Sequence, residues 1–249
     1  MDENENIFDK INEIFGGLPG SLNILEEQID IDIQMNYFES SRKLKKRKLA
    51  GNIMEDSSRL FSESTSMEDK KNLLVQLASL DKVEAFRTIE KFQKSENDLL
   101  KDWAILALKE SRMLLESKIL DENQVFISTG LGGKGDKLRY FVIVLGKNLK
   151  EFTDLHKKII KNEFNYALKK HNSVVENIEF SEEMATILAV VPISSPVKAV
   201  FEEAVYECNN YGDFLIPDFI ITNVKKLSFD DIKEFIKQQK ENKSLDIEI

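Results

Sequence analysis

The chain is poor in the residues that most enzymes and metalloproteins use. Its 249 residues include one cysteine, Cys208, and two histidines, His156 and His171, fifteen positions apart. A single thiol excludes an internal disulfide framework and a cysteine-based zinc cluster, and two such distant imidazoles argue against an all-protein transition-metal site. No metal and no cofactor is therefore expected. No uninterrupted apolar run approaches the roughly 20 residues of a membrane-spanning helix. The opening Met1-Asp-Glu-Asn-Glu-Asn6 is acidic where a secretory leader is basic, so a cytoplasmic protein with no membrane partner is expected. What remains is 42% hydrophobic and 32% charged, enough to bury a core in one or two domains.

Charge is unevenly placed. The net charge is −9; ten of the 44 acids and one of the 35 bases, Lys10, fall in residues 1–39, so that segment carries −9 and the remaining 34 of each sign cancel. Directly after it, Arg42-Lys-Leu-Lys-Lys-Arg-Lys-Leu49 puts six bases in eight residues. Acidic and basic blocks thus lie side by side.

The acidic block opens with Ile7, Phe8, Ile11, Ile14 and Phe15, at the spacing of a short amphipathic helix that Gly16-Gly-Leu-Pro-Gly20 ends. Its polar side is acidic, whereas helices that lie on membranes carry Lys and Arg there, so docking onto a partner or onto this protein's own body is the better reading. Ile29-Asp-Ile-Asp-Ile-Gln-Met35 alternates like a strand, and Leu245-Asp-Ile-Glu-Ile249 repeats the pattern. The Ser-rich, acidic stretch around 54–66 reads as a linker. Three domains are expected: 1–65 as arm, basic run and linker, 66–120 as a helical module, and 121–249 as a sheet domain.

In the helical module Ser66 with Asp69 caps a helix striped by Leu73, Leu74 and Leu77. A second helix turns Val83, Phe86, Ile89 and Phe92 inward. A third, about 97–117, carries Leu99, Leu100, Trp103, Leu106, Ala107, Leu114 and Leu115 at helical spacing. The segment from Asp81 to Leu108 resembles a HEAT-type helical repeat, and short polar turns between such helices imply antiparallel stacking.

After Asp121 the pattern changes. Val125, Ile127 and Thr129 alternate, a glycine-rich turn follows, and 138–146 is a β-branched run. A helix over 149–170 presents Phe152, Leu155, Ile159, Phe164, Ala167 and Leu168. A short strand near Ile178 and Phe180 precedes the nearly continuous apolar run 185–191, which reads as a central strand. Ser195 and Pro196 open a helix striped by Val200, Phe201, Ala204, Val205 and Cys208. A strand at 218–224 follows, and Ser228 with Asp231 caps a last helix. Residues 138–225 thus read strand, helix, strand, strand, helix, strand. That order resembles the ferredoxin-like fold, and the strand near Val125 would extend its sheet to five. The expected class is α+β, an N-terminal helical module followed by a ferredoxin-like βαββαβ domain with an extra leading strand. The resemblance is to a topology shared by many unrelated activities, so it implies no particular one.

Three chemistries could use these residues. Thr129-Gly-Leu-Gly-Gly-Lys-Gly-Asp-Lys137 invites a phosphate, held by Lys134 and Lys137 with Ser194 and Ser195 nearby, but strand residues follow it where a phosphate loop needs a helix N-terminus; a flexible hairpin loop is the plainer reading. Lys157, Lys158, Lys161, Lys169 and Lys170 line one helix, yet the central strand lacks stacking aromatics and the isoelectric point is near 5.0, so a nucleic-acid partner is not expected. The acid pairs Glu182-Glu183, Glu202-Glu203 and Asp230-Asp231 are adjacent and point apart. Cys208 and Trp103 sit on apolar stripes. No catalytic residue is assigned.

The expectation is a non-catalytic protein-protein interaction or adaptor protein, with Ile7, Phe8, Ile11, Ile14 and Phe15 as the partner-binding anchors. The alternative is a ferredoxin-like domain that binds or transforms a small ligand through loop 130–137. Either is compatible with a homo-oligomer.

Overall fold

The computed structural model describes residues 21–45, 53–95, 98–121 and 124–245. The anchors Ile7, Phe8, Ile11, Ile14 and Phe15, the basic residues 46–48 and the alternating tail 246–249 lie outside the described residues. The described residues fall into two units, one ending at Asp136 and one beginning at Lys137. The division falls after the glycine-rich loop, where a boundary between 120 and 121 was expected.

The first unit holds β1 (Ser21–Ile24), α1 (Ile31–Lys45), α2 (Ile53–Asp56), a 3-10 turn (Ser57–Phe61), α3 (Met67–Ala78), α4 (Val83–Gln93), α5 (Lys101–Leu120), β2 (Gln124–Ile127) and β3 (Gly133–Lys134). Its core gathers Tyr37, Leu60, Leu74, Leu77, Ile89 and Leu106, all fully buried. Each such leucine contributes about 1.5–3 kcal/mol through loss of apolar surface from water. The Ser66 hydroxyl accepts the Asp69 amide at 3.1 Å and so caps α3, as the sequence indicates.

Several expectations fail in this unit, each for a physical reason. Residues 29–35 alternate, but from Ile31 onward the chain is helical. The first bond of this turn runs from the Gln34 amide to the Asp30 carbonyl at 3.1 Å, and the Asp30 carboxylate accepts the Asp32 amide at 2.8 Å. The buried positions are Gln34, Tyr37 and Ser41, a helical period that extends past the seven alternating residues, and Met35 is 64% exposed. The expected linker supplies α2 and the 3-10 turn, whose Ile53 and Leu60 are core residues. Leu99 is 83% exposed because Asp98–Leu100 form a 3-10 turn ahead of the α-helix, which starts at Lys101, and this turn buries Leu100 instead. The strand near Val125 does not lead the large sheet; β2 pairs in parallel with β1, Ser21 opposite Gln124 and Ile24 opposite Ile127.

The second unit comprises β4 (Lys137–Leu145), α6 (Asp154–Lys170), β5 (Val174–Ser181), β6 (Met184–Pro192), α7 (Val197–Asn209), β7 (Ile220–Thr222) and α8 (Phe229–Leu245). Within residues 137–245 the strands run in the order β7-β4-β6-β5, antiparallel at every pairing. Every residue of β6 is buried, as its unbroken apolar run requires of a central strand. Helices α6 and α7 pack together through Phe164 and Phe201, 6.5 Å between ring centroids. The chain is therefore α+β, helices first and an antiparallel sheet after them. No helix among the described residues is long and apolar enough to cross a membrane.

Candidate functional site

The first unit holds a groove of about 930 Å³. Its walls come from the second half of α1, the end of α3, the middle of α5 and β2. Phe38, Leu44, Leu106, Met113, Leu114 and Phe126 make it apolar. Phe38 occupies the wall because it follows Tyr37, which the helix period turns into the core. Edge-on ring contacts link Trp103 to Tyr37 at 5.3 Å and Tyr37 to Phe38 at 5.4 Å, and Phe38 meets Phe126 at 5.7 Å. This chain of rings fixes the wall against the core.

One carboxylate organises the polar end. Glu110 on α5, its side chain only 14% exposed, accepts the Tyr37 hydroxyl and the Ser41 hydroxyl at 2.7 Å each and lies 2.7 Å from the Lys45 ammonium. Positions 37, 41 and 45 are successive turns on one face of α1, so helix geometry alone brings all three donors to a single acceptor. Burial, and secondarily the neighbouring Glu110 charge, holds the Tyr37 hydroxyl well above its ordinary pKa. Three donors converge on this carboxylate, which offsets the Lys45 ammonium from inside and leaves Arg42 to carry the positive charge of the rim. Arg42 and Lys45 stand at the rim, both largely exposed, and Lys43 on the outer side pairs with Glu39 at 2.8 Å. At the other lip Gln124 accepts the Asn23 amide at 2.6 Å. An apolar trough with a cationic rim suits an apolar segment flanked by acids.

The glycine-rich loop is packed rather than flexible. Residues 129–133 are buried, the Thr129 carbonyl accepts the Gln34 side chain at 3.1 Å, and Gly132 adopts φ +67° where a Cβ would lie 2.5 Å from the carbonyl oxygens of Glu26 and Glu27. At its tip the Gly135 amide donates to the Glu26 carboxylate at 3.0 Å. A protein carboxylate thus occupies the donor that a phosphate would need. Lys134 is exposed on this loop, while the Lys137 ammonium donates to the Asn172 carbonyl. Ser195 does not cap α7: its amide donates to the Pro192 carbonyl at 2.9 Å, and the cap position is Pro196, with no side-chain bond.

Catalytic groups are equally dispersed. His156 stacks on Phe214 at 4.2 Å and shares the capping of α6 with Thr153, and His171 meets Glu203 at 2.7 Å. Burial pushes the Cys208 thiol up to about 12, which leaves it an inert packing group. Trp103 is core, its indole donating to the Lys71 carbonyl at 3.1 Å. Among the described residues no three His, Cys, Asp or Glu gather as metal ligands. The residues that sequence reasoning missed are those of the groove. Tyr37, Ser41 and Lys45 recur every four positions, a signal that the alternating Ile29–Met35 run obscured.

No family model and no curated protein matches this chain. Solved structures match it loosely. A presumed transposase of Deinococcus radiodurans R1 aligns at 16% identity over 43% of this chain and 94% of its own, with a TM-score of 0.36. A REP-associated tyrosine transposase bound to a REP hairpin gives 9% identity over 39% and 61%, TM-score 0.31. A C-terminal segment of the alpha subunit of aIF2 from Pyrococcus abyssi gives 13% over 78% and 98%, TM-score 0.25. Likeness at this level identifies neither a family nor an activity.

Proposed function

We propose that this chain is a non-catalytic protein-interaction molecule whose recognition surface is the groove of its first unit, and that the groove takes an amphipathic helical segment with acidic flanks. The observation that carries the reading is the pairing of an apolar trough of about 930 Å³ with Arg42 at its rim, beside the Lys45–Glu110 pair. Phe38, Met113 and Leu114 supply the apolar contact, and the rim supplies the sign preference. The second unit, with its order β7-β4-β6-β5, is ferredoxin-like in this reading and serves as a structural partner rather than a reaction centre.

The test uses a full-length chain in which the arm anchors are serine (Phe8→Ser, Ile11→Ser, Phe15→Ser), so that its own acidic segment does not compete. Two fluorescent helical peptides share one Ile/Phe stripe, the first with Asp and Glu on its polar side and the second with Lys at the same positions. Anisotropy titration should show the acidic peptide binding at least tenfold tighter. Arg42→Glu with Lys45→Glu should remove the preference. Equal binding of the two peptides, or binding of neither, would overturn the reading.

A further inference from the structure

We propose that the second unit carries a small-molecule pocket between one face of its sheet and the start of α8, and that this pocket takes a free α-amino acid with an apolar side chain. The proposal goes beyond the groove and does not depend on it. Cross-strand register builds the pocket. Phe141 on β4 stands opposite Leu188 on β6, Leu188 stands opposite Asn177 on β5, and Thr186 stands opposite Glu179, so these five residues share one face. With Lys226 and the first residues of α8 they line a hollow of about 420 Å³, toward the small end of the range for small-molecule sites.

Three observations set the chemistry of the occupant. First, Phe141 and Leu188 are buried and give the hollow an apolar floor. Second, Thr186 is only 5% exposed, yet its hydroxyl has no hydrogen-bond partner among the described residues, in a strand whose other residues, from Met184 to Pro192, are all apolar. A valine of the same shape would suit this buried strand, and a buried hydroxyl calls for a polar partner, which the hollow can supply. Third, both signs of charge stand at the walls. Glu179 has one carboxylate oxygen fixed by the Asn177 amide at 2.7 Å, and neither Glu179 nor Lys226 makes an ion pair among the described residues.

Neighbouring groups are already engaged. Arg139, two positions before Phe141, is held by Glu176 at 2.5 and 3.0 Å. Ser228 and Asp231 cap the start of α8 reciprocally, so that helix end is closed to an anion. A simple anion in the hollow would leave Glu179 without a counter-charge, and a simple cation would leave Lys226 without one. A molecule that answers every wall has an apolar body for Phe141 and Leu188, an ammonium for Glu179, and a carboxylate that meets Lys226 and accepts from the Thr186 hydroxyl. An apolar α-amino acid has these three parts, its two charged groups sharing one carbon.

The experiment follows amide NMR spectra of the full-length chain titrated with L-leucine and with L-phenylalanine. The same titration is made with each molecule lacking one charge: 4-methylpentanoate and 3-phenylpropionate have no ammonium, and 3-methylbutylamine and 2-phenylethylamine have no carboxylate. At least one of the two amino acids should bind at least tenfold tighter than either of its truncated forms, with shifts at the amides of 177–188 and 226–229. Glu179→Gln should remove the advantage over the carboxylate, Lys226→Met should remove the advantage over the amine, and Thr186→Val should weaken binding at least fivefold. Glu179 and Lys226 are exposed, so their variants keep the fold and decide alone should Thr186→Val unfold. No shift with either amino acid up to about 10 mM would overturn the proposal. Truncated forms that bind as well as the amino acids would also overturn it, as would an affinity unchanged in all three variants.

Discussion

Glu110 shows how much one side chain can organise. Its carboxylate accepts two hydroxyls and an ammonium while nearly out of water, and hydrogen bonds to a charged group are worth about 1.5–3 kcal/mol each when a partner is left unsatisfied. Glu110→Gln keeps the shape and removes the charge. It should lower the free energy of unfolding in urea by about 2 kcal/mol, and Ser41→Ala by about 1 kcal/mol, since that hydroxyl sits at the half-open end. In the Gln variant the Tyr37 hydroxyl should titrate lower than in the natural chain yet above an ordinary tyrosine, because burial is its larger perturbation. Ultraviolet titration of the phenolate checks this. A fall to the ordinary tyrosine range would make Glu110 the dominant cause.

Gly132 carries a second residue-scale constraint. At φ +67° an L side chain costs about 1–2 kcal/mol, and a methyl there meets two backbone carbonyl oxygens at 2.5 Å. Gly132→Ala should destabilise by at least about 2 kcal/mol in thermal or urea unfolding. Gly135→Ala should cost less, since its φ is +61° but nothing lies within 4 Å. Equal losses at the two sites would mean that the contact with the Glu26–Glu27 backbone is absent in solution. The glycine-rich run was legible as a turn, but nothing in its composition revealed that it is pinned by Gln34 and Glu26, because those partners are about a hundred positions away in sequence.

At the scale of elements, local chemistry fixed what long-range packing did not. The caps at Ser66 and Ser228 are observed, since a hydroxyl three residues before a carboxylate closes its own geometry. Ser195 has no such carboxylate, Lys198 standing three residues on, and was expected to cap only because Pro196 follows it; Pro196 itself takes the cap position, with no side-chain cap bond. The two serines should therefore separate experimentally: Ser228→Ala should cost about 0.5–2 kcal/mol and loosen the first turn of α8 in hydrogen exchange, whereas Ser195→Ala should stay within about 0.5 kcal/mol of the parent. A comparable loss at Ser195 would show that it caps α7 after all. Likewise β6 was readable because a nearly continuous apolar run has to be central, while β1 was not, since the alternation of Ser-Leu-Asn-Ile lasts only four residues and forms a strand only through β2. The same dependence on a distant partner placed Leu155, which falls on the expected stripe of α6, at 65% exposure, with Ile160 buried instead.

Over the whole molecule the class of fold followed from the order of periodic segments, and the groove did not, because its walls come from four elements that no single window of sequence contains. Charge is the property that does act at this scale. Carboxylates on both units are held below their ordinary pKa by partners: Glu39 by Lys43, Glu90 by Arg87 and Lys94, Glu203 by His171 and Lys170, and Asp231 by Ser228. A group whose folded pKa is depressed adds stability that is complete above its unfolded value, 4.5 for Glu and 3.8 for Asp, and is lost as pH falls through the lower folded value. Glu39 and Asp231 are exposed and Glu90 and Glu203 half-buried at the surface, so each effect is small and screened by salt, but they share one direction. The melting temperature should accordingly hold steady from pH 7 to about 5 and decline below about pH 4.5. The decline should be shallower in 0.5 M salt, where exposed pairs contribute little at any pH and have less to lose. A melting temperature that rises on acidification through this window would mean that repulsion among the 44 acids, rather than their pairing, governs the folded state.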